Sequence, residues 1–175
     1  MVVPAKGLGP SAWIVANADL LPRGGRALDI ACGPGRHTLL LANSGFTVRA
    51  VDRDAGAIVR LREMARVLRV DITAVVMDLE TDPPPDLGSR EYDLVVGFNY
   101  LHRPLMPALR EAVKPGGRIF YETFTTRQAE RGHPRNPNYL LREGELAELM
   151  APFTILRSRE GEFDGRFIAS VVAQR

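Results

Sequence analysis

The residues with the clearest chemical potential lie between Ala27 and His37, where an apolar run ends at Asp29 and a loop of small residues follows. The small residues of this loop are Ala31, Cys32, Gly33 and Gly35. Small residues let the backbone approach a ligand closely, because no bulky side chain stands in the way. Unpaired amides at the start of a helix attract carboxylate or phosphate groups. The stretch therefore predicts the strand, tight turn and helix start of a nucleotide site in an α/β protein.

The spacing of the small residues separates two families of ligand. A dinucleotide fingerprint requires G-x-G-x-x-G, but the third small position falls on Arg36 or Thr38, depending on where the count begins. The sequence instead reads D-x-A-x-G-x-G. This pattern resembles the first motif of class I S-adenosylmethionine-dependent methyltransferases, with Ala31 in place of the usual glycine. The resemblance implies that Asp29 lies near the methionyl amino group and that the loop backbone wraps the amino-acid part of S-adenosylmethionine.

Polar side chains also follow the next predicted strands, at the sheet edge where ligands of such folds bind. Asp52 follows the loop by about 20 residues, the spacing from which a carboxylate reaches ribose hydroxyls. We therefore expect Asp52 to bind the ribose rather than only to cap the helix that starts at Ala55. Its neighbour Arg53 either flanks the adenine or is solvated. Asp78 and Leu79 resemble the adenine contacts of the family, although Asp78 also suits a turn cap.

Candidates for catalysis follow the fourth and fifth predicted strands. Asn99 and Tyr100 stand where the resemblance implies that the methyl donor meets its acceptor. His102 has the side-chain type of a general base, with an ordinary pKa of ~6.5, and equally suits a pocket wall. Tyr121 and Glu122 are further proton-transfer candidates. The segment Asn99-Tyr100-Leu101-His102 differs from Asn-Pro-Pro-Tyr, which argues against a nucleic-acid amine as acceptor.

A long polar stretch without periodicity runs from Phe124 to Asn138 and predicts a loop that closes over the substrate as a lid. Four of its side chains suit an anion and are expected at the crevice edge: Arg127, Arg131, His133 and Arg135. A solvated loop is the alternative. The following segment, residues 138–146, is similar to the same region of tellurite-resistance-type small methyltransferases.

The elements that must position these residues alternate between strand and helix. The predicted strands are Arg26–Ile30, Phe46–Val51, Ile72–Met77, Tyr92–Phe98, Arg118–Thr123, Phe153–Phe163 and Arg166–Ala173, the last two joined by an Asp164-Gly165 turn. The predicted helices are Ala12–Leu20, Arg36–Ser44, Ala55–Leu68, Leu105–Val113 and Leu140–Met150. The turn at residues 114–117 also matches the family. The pattern predicts an α/β, Rossmann-like, seven-stranded and mostly parallel sheet, with an antiparallel C-terminal hairpin strand and helices on both faces.

Length and composition restrict the function classes. The 175 residues suffice for one domain, predicted at 26–175 after an arm and helix at 1–25, the arm covering residues 1–10. The net charge of +2 gives no strong attraction to nucleic acid or membrane. No apolar run reaches the ~20 residues that span a bilayer. Cys32, the single cysteine, excludes an internal disulfide, and we expect a buried packing residue rather than a reactive thiol. A cytoplasmic monomer or homodimer without a metal is the resulting expectation.

The main functional hypothesis is methyl transfer from S-adenosylmethionine to a small-molecule acceptor, possibly a soft or anionic nucleophile. Two alternatives remain open at this point. The first is an NAD-dependent reductase, which Asp52 suits but the glycine spacing does not. The second is a subunit that binds the cofactor without catalysis.

Overall fold

Seven strands form one sheet in the computed structural model, which describes residues 9–175. Most of the predicted arm therefore lies outside the described residues. The strands are β1 Gly25–Ile30, β2 Phe46–Asp52, β3 Ile72–Val76, β4 Tyr92–Phe98, β5 Val113–Phe124, β6 Thr154–Phe163 and β7 Arg166–Gln174. The helices are α1 Ala12–Ala16, α2 Arg36–Asn43, α3 Ala55–Leu68, α4 Met106–Ala112 and α5 Glu145–Met150. Short 3-10 turns cover Ala18–Leu20, Arg103–Leu105, Thr126–Glu130 and Pro137–Tyr139.

The strand order is β3-β2-β1-β4-β5-β7-β6, and only β7 runs antiparallel to its neighbours. The chain builds outward from β1 to β3 and then returns to place β4 on the other side of β1. This reversal opens a crevice at the carboxyl ends of β1 and β4, where ligands of open α/β sheets bind. The predicted sheet, with its antiparallel C-terminal end, is confirmed.

Apolar side chains cover both faces of the sheet. On one face α1, α2 and α3 pack through Ile14, Leu41 and Ile58. On the other face α4 and α5 pack through Leu109 and Leu146. Helices on both faces leave the strand ends as the open part of the fold, so the ligand crevice forms there. No helix within residues 9–175 is long and apolar enough to cross a membrane.

Two predicted helices are shorter by four or more residues in the structure. The first helix ends at Ala16, because Asn17 donates from its backbone and side chain to Trp13 O and a 3-10 turn follows. The last helix begins at Glu145 rather than at Leu140, because Leu141 instead forms a parallel bridge with Thr125. That bridge joins two segments that are distant in sequence, and the spacing of apolar residues within one helix cannot predict such a contact.

The fifth strand is longer than predicted and includes the expected turn at residues 114–117. Val113 pairs with Tyr92, and regular pairing resumes only at Arg118 opposite Leu94, so the turn is an irregularity within the strand. The Phe124 to Asn138 segment is also more regular than predicted. It contains the Thr126–Glu130 3-10 turn and is held by Gln128, whose side chain bonds His133 O and Phe167 N. The segment is thus tied to β7 through Gln128.

Candidate active site

The loop between β1 and α2 owes its shape to left-handed backbone angles. Ala31, Gly33 and Gly35 have φ of 48°, 53° and 84°. Ala31 adopts this conformation against the steric preference of an L-residue, so the alanine replacing the usual glycine costs roughly 1 kcal/mol. A Cβ on Gly33 would meet nothing within 4 Å. The backbone at Gly33 is therefore unobstructed, and Ala31 is the loop residue that lines the cavity at the strand ends.

Asp52 holds this loop from the end of the neighbouring strand. Its Oδ2 accepts a hydrogen bond from Gly33 N at 2.7 Å, and its Oδ1 accepts one from Asp54 N at 2.9 Å. Each carboxylate oxygen keeps a free lone pair for a further donor. Cys32 is buried beneath the loop, and burial, with the nearby charges of Asp29 and Asp52, raises the pKa of its thiol. The thiol is thus protonated and acts as a packing group.

Asp29 lies under the loop rather than in the crevice, with only 1% of its surface exposed. Its Oδ2 accepts a hydrogen bond from Thr38 Oγ1 at 2.6 Å. Burial raises the pKa of Asp29 from 3.8 to about 7, although the Thr38 bonds act in the opposite direction. The carboxyl group therefore supports the loop from behind, at a distance from the open cavity.

Replacing Asp29 by asparagine is expected to stabilise the unliganded protein at pH 8 but not at pH 4. Because the pKa of Asp29 is raised in the folded state, its favourable contribution is complete below pH 3.8 and is lost as pH rises through about 7. The full change is roughly 4 kcal/mol, the equivalent of a pKa shift of this size. Urea unfolding of both proteins at the two pH values measures it.

Asp71→Asn is the matched control, since Asp71 is an exposed carboxylate that accepts a bond from Thr47 Oγ1 at 3.0 Å. The control should show no comparable dependence on pH. An Asp29→Asn variant that differs from the wild type equally at both pH values would contradict the assignment of a raised pKa to Asp29.

A cavity of about 600 Å³ opens at the carboxyl ends of β1 to β5. Seven predicted cofactor residues line it, namely Ala31, Asp52, Arg53, Asp78, Leu79, Asn99 and Tyr100. Seven further lining residues are Met77, Glu80, Leu101, Phe124, His133, Pro134 and Tyr139. Its size is ordinary for a small-molecule or cofactor site. The structure thus brings together side chains that the sequence pattern placed at four separate strand ends.

Asn99 and Tyr100 shape the centre of the cavity. Asn99 has φ of 58°, and its N donates to Glu122 O at 2.8 Å. This left-handed conformation turns the chain sharply at the end of β4, and asparagine tolerates it better than most residues do. The Tyr100 hydroxyl is buried and has no hydrogen-bond partner within residues 9–175. This leaves a polar atom in the cavity wall without a partner from the described chain.

The three predicted catalytic side chains lie outside this lining. Tyr121 is completely buried, and its hydroxyl donates to Tyr100 O at 2.7 Å. Burial raises the pKa of Tyr121, which opposes its ionisation. Glu122 is 1% exposed, while His102 is half-buried between the lining residue Leu101 and Arg103. The structure therefore shows Tyr121 and Glu122 as supports of the cavity wall and not as groups that face the cavity.

Glu122 is part of a buried polar network that ties the N-terminal segment to the sheet. Its Oε1 accepts from Ser11 Oγ at 2.8 Å, and its Oε2 accepts from Ser170 Oγ at 2.7 Å and from Arg159 at 3.2 Å. Ser11 N in turn donates to His37 Nε2 at 3.0 Å. Burial lowers the pKa of His37 to about 3, so its ring is neutral and can accept this bond. Both Glu122 oxygens are thus engaged, Oε1 with the cap of α1 and Oε2 with β6 and β7.

The four anion-binding candidates of the long loop separate in space. His133 lines the cavity. Arg127 and Arg131 instead lie over the Phe167 ring, at 4.2 and 5.2 Å from its centroid, and Arg131 also pairs with Glu162 at 3.0 Å. Arg135 is exposed and does not line the cavity. The predicted cluster of loop cations therefore contributes one residue to the cavity.

Sequence reasoning did not assign Pro134 and Tyr139 to the cavity wall. Their positions depend on the bridge between Thr125 and Leu141, in which Thr126 N donates to Leu141 O and Leu141 N donates to Phe124 O. The motif patterns end before this region. A local signal exists only for the 3-10 turn around Tyr139, since Pro137 follows Asn136, whose side chain caps the turn.

The chain is similar in sequence to known methyltransferases. A family model described as "Methyltransferase domain" matches residues 27–117. The ubiquinone biosynthesis O-methyltransferase of Burkholderia vietnamiensis is 33% identical over 119 residues, which are 64% of this chain and 49% of that protein. The chain thus spans about half the length of the curated relatives it matches.

Two solved structures show the same fold. TehB from Haemophilus influenzae superposes with a TM-score of 0.75 at 21% identity, covering 93% of this chain and 60% of TehB. An S-adenosylmethionine-dependent methyltransferase from Mesorhizobium loti superposes with a TM-score of 0.76 at 19% identity, covering 97% of this chain and all of that one.

The strand order and the cavity at the β1–β4 reversal, together with these likenesses, define a class I S-adenosylmethionine-dependent methyltransferase. The chain belongs to the methyltransferase domain family. The predicted cofactor, S-adenosylmethionine, is the one named for the Mesorhizobium loti protein. The family match gives no support to the NAD-dependent reductase considered from the sequence.

Proposed function

We propose that the protein transfers the methyl group of S-adenosylmethionine to a small anionic acceptor. The observation that carries the proposal is a single cavity with two chemically different ends. At one end, Asp52 and Asp78 supply carboxylates suited to ribose hydroxyls and to the adenine amine. Phe124 and His133 line the other end. Beyond Phe124 lie two arginines, Arg36 and Arg166, which are not lining residues and make no ion pair within residues 9–175.

Arg166 is placed at the second end by strand register. Phe124 lines the cavity and pairs with Ile168 of the antiparallel strand β7. Arg166 is two residues earlier, so it is on the same face of the sheet and nearer to the open edge. Arg166 is half-buried and makes no ion pair within residues 9–175. Its guanidinium group is therefore free to meet an anion near Phe124.

Arg36 approaches the same region from the start of α2. Its guanidinium donates to Gly9 O at 3.3 Å and makes no ion pair with any acid in the described part of the chain. Residues 1–8 contain no acidic residue. Burial, and next the charge of Arg166, lower the pKa of Arg36, while the charges of Glu122 and Asp29 act in the opposite direction. Two half-buried cations that repel each other favour a bound carboxylate or oxyanion, because guanidinium groups bind such ligands bidentately.

The chain's own residues would mainly align the reactants. The cofactor supplies a sulfonium whose methyl group is already electrophilic. Asp52 and the loop at Gly33 orient the nucleoside and amino-acid parts, and Arg36 with Arg166 orients the acceptor. The Tyr121 hydroxyl holds the wall residue Tyr100 by donating to its carbonyl oxygen. The backbone carbonyl of Glu122 holds the wall residue Asn99 by accepting from its N–H. His102 stays our predicted proton acceptor when the acceptor arrives protonated, although it is not among the lining residues.

The test has a binding part and a turnover part. Calorimetry should show binding of S-adenosylmethionine and S-adenosylhomocysteine, and binding of NADH alone would overturn the proposed cofactor chemistry. Release of S-adenosylhomocysteine is then measured with pairs of small carboxylic acids and their carboxamides. We expect turnover with the anionic members only.

Arg36→Gln and Arg166→Gln should each raise the KM for an anionic acceptor by about tenfold, the usual cost of one charged hydrogen bond, and leave cofactor affinity within threefold. Preferential methylation of the carboxamides would exclude an anionic acceptor. Tight cofactor binding without turnover of any pair would favour the non-catalytic subunit instead.

A further inference from the structure

Tyr139 is an aromatic side chain that stays exposed at the mouth of the cavity. It is 40% exposed and is the one aromatic among the exposed large apolar side chains of residues 9–175. It also lines the cavity, as the last residue of the Pro137–Tyr139 turn. An exposed aromatic ring at a concave site offers a flat surface on which a planar ligand can stack.

Arg103 fixes the backbone on both sides of Tyr139. Its guanidinium donates to Asn138 O at 3.0 Å and to Leu140 O at 2.8 Å. Arg103 belongs to the turn that directly follows the cavity-lining residues 99–101, so one side chain joins two walls of the cavity.

Glu145 locks this arginine in place. Its Oε1 accepts from Arg103 Nε at 2.6 Å, and its Oε2 accepts from Arg103 Nη2 at 2.8 Å. The ion pair is therefore bidentate. Glu145 is 3% exposed and also accepts from Arg142 N at 2.8 Å. The bond from Arg103 is the main reason why the pKa of Glu145 falls to about 2. A planar guanidinium that makes four hydrogen bonds therefore fixes the turn before any ligand arrives.

The position of Tyr139 within the cavity indicates which ligand group it meets. Four side chains are close enough to affect the pKa of the Tyr100 phenol, which burial raises: Glu80, Asp78, Arg53 and Tyr139. The first three belong to the nucleoside end of the cavity. Tyr139 lines the same cavity as these three residues, whereas Arg36 and Arg166 are not among its lining residues.

We infer that the Tyr139 ring stacks on the adenine of the cofactor, and that Arg103, held by Glu145, is the positioning residue that places it there. This inference rests on the proposed function, since it assigns a role within the same site. Tyr139 lies in the segment after β5. It therefore adds to the nucleoside site a stacking surface that the strand ends do not provide.

The first experiment compares three variants by calorimetry with S-adenosylhomocysteine and with 5′-methylthioadenosine, which lacks the amino-acid part. Tyr139→Ala should weaken the binding of both ligands by about tenfold, because an aromatic–base contact is lost. Tyr139→Phe should stay within twofold of the wild type. Val67→Ala, which shortens a side chain that is 77% exposed on α3, is the control and should change neither affinity.

The second experiment tests whether Arg103 acts through Tyr139. Arg103→Lys keeps the charge but removes the planar fork, so we expect an approximately fivefold loss of affinity in the wild-type background. In the Tyr139→Ala background the same change should cost less than twofold, because the ring it positions is already absent. Glu145→Gln, which keeps the shape of the partner, serves as the second variant if Arg103→Lys does not fold.

The outcomes separate this inference from the proposed function. A wild-type protein that binds neither S-adenosylmethionine nor S-adenosylhomocysteine would overturn the proposed function. If the wild type binds and Tyr139→Ala binds equally well, only the stacking role fails. A loss seen with S-adenosylhomocysteine but not with 5′-methylthioadenosine would place Tyr139 on the amino-acid part and also refute the inference.

Discussion

Asp52→Ala is expected to weaken the binding of S-adenosylhomocysteine by ~100-fold or more. The variant loses the carboxylate expected on the ribose hydroxyls and also the 2.7 Å bond that holds Gly33 N in the loop. Two hydrogen bonds to a charged group contribute roughly 3–4 kcal/mol together, and each 1.4 kcal/mol is a factor of ten in affinity. Isothermal titration calorimetry at constant pH and salt measures the change.

Asp54→Ala is the control for this prediction. Asp54 is two residues away and accepts a hydrogen bond from Ala57 N at 3.0 Å as the N-cap of α3, without lining the cavity. Loss of this cap should cost about 1 kcal/mol of stability and leave the affinity unchanged. Asp52→Ala binding within threefold of the wild type would show that the ribose lies elsewhere.

Gly35→Ala should destabilise the protein by about 3–4 kcal/mol. Gly35 has φ of 84°, a conformation that costs an L-residue ~1–2 kcal/mol. A new Cβ would also overlap the Leu61 side chain, with Cδ2 and Cγ 2.9 and 3.0 Å away. Leu61 is completely buried, so it has little room to move, and overpacking of this kind costs ~1–3 kcal/mol. Urea unfolding of the unliganded protein measures the loss.

Two further variants test the cause of this loss. Gly33→Ala, at φ of 53° with nothing within 4 Å of the new Cβ, should lose only ~1–2 kcal/mol. Combining Gly35→Ala with Leu61→Ala should cost clearly less than the sum of the two single changes, because the alanine Cβ then occupies vacated space. Additive losses would mean that the overlap is not the source of the instability.

Most of the sheet could be predicted because its signals are local. The strands ending at Asp52 and Asp78, the loop at Gly33 and the turn at Asp164 each carry their pattern within a few residues. Their ends meet at one edge by the rules of parallel sheets alone. The nucleoside end of the cavity follows from that arrangement, which is why its lining side chains were predicted before any coordinates.

The parts that were missed depend on contacts between distant segments. Ser11 meets Glu122 across 111 positions of sequence, and Ser170 meets it across 48, so the carboxylate is occupied by residues far from it in the chain. Leu141 leaves the predicted helix in order to pair with Thr125. Tyr139 reaches the cavity through Arg103, 35 to 37 positions from the carbonyls it binds. Spacing patterns within one element contain no information on such partners.

Trp13 gives the protein a built-in optical reporter. It is the single tryptophan of the chain, 6% exposed, with its indole N–H donating to Val171 O at 3.2 Å and the Arg159 guanidinium 4.9 Å from the ring. Undocking of α1 would bring the indole into water and shift its emission to longer wavelength. The emission maximum of the unlabelled enzyme therefore reads out whether its amino-terminal helix is seated on the sheet, in every variant described above.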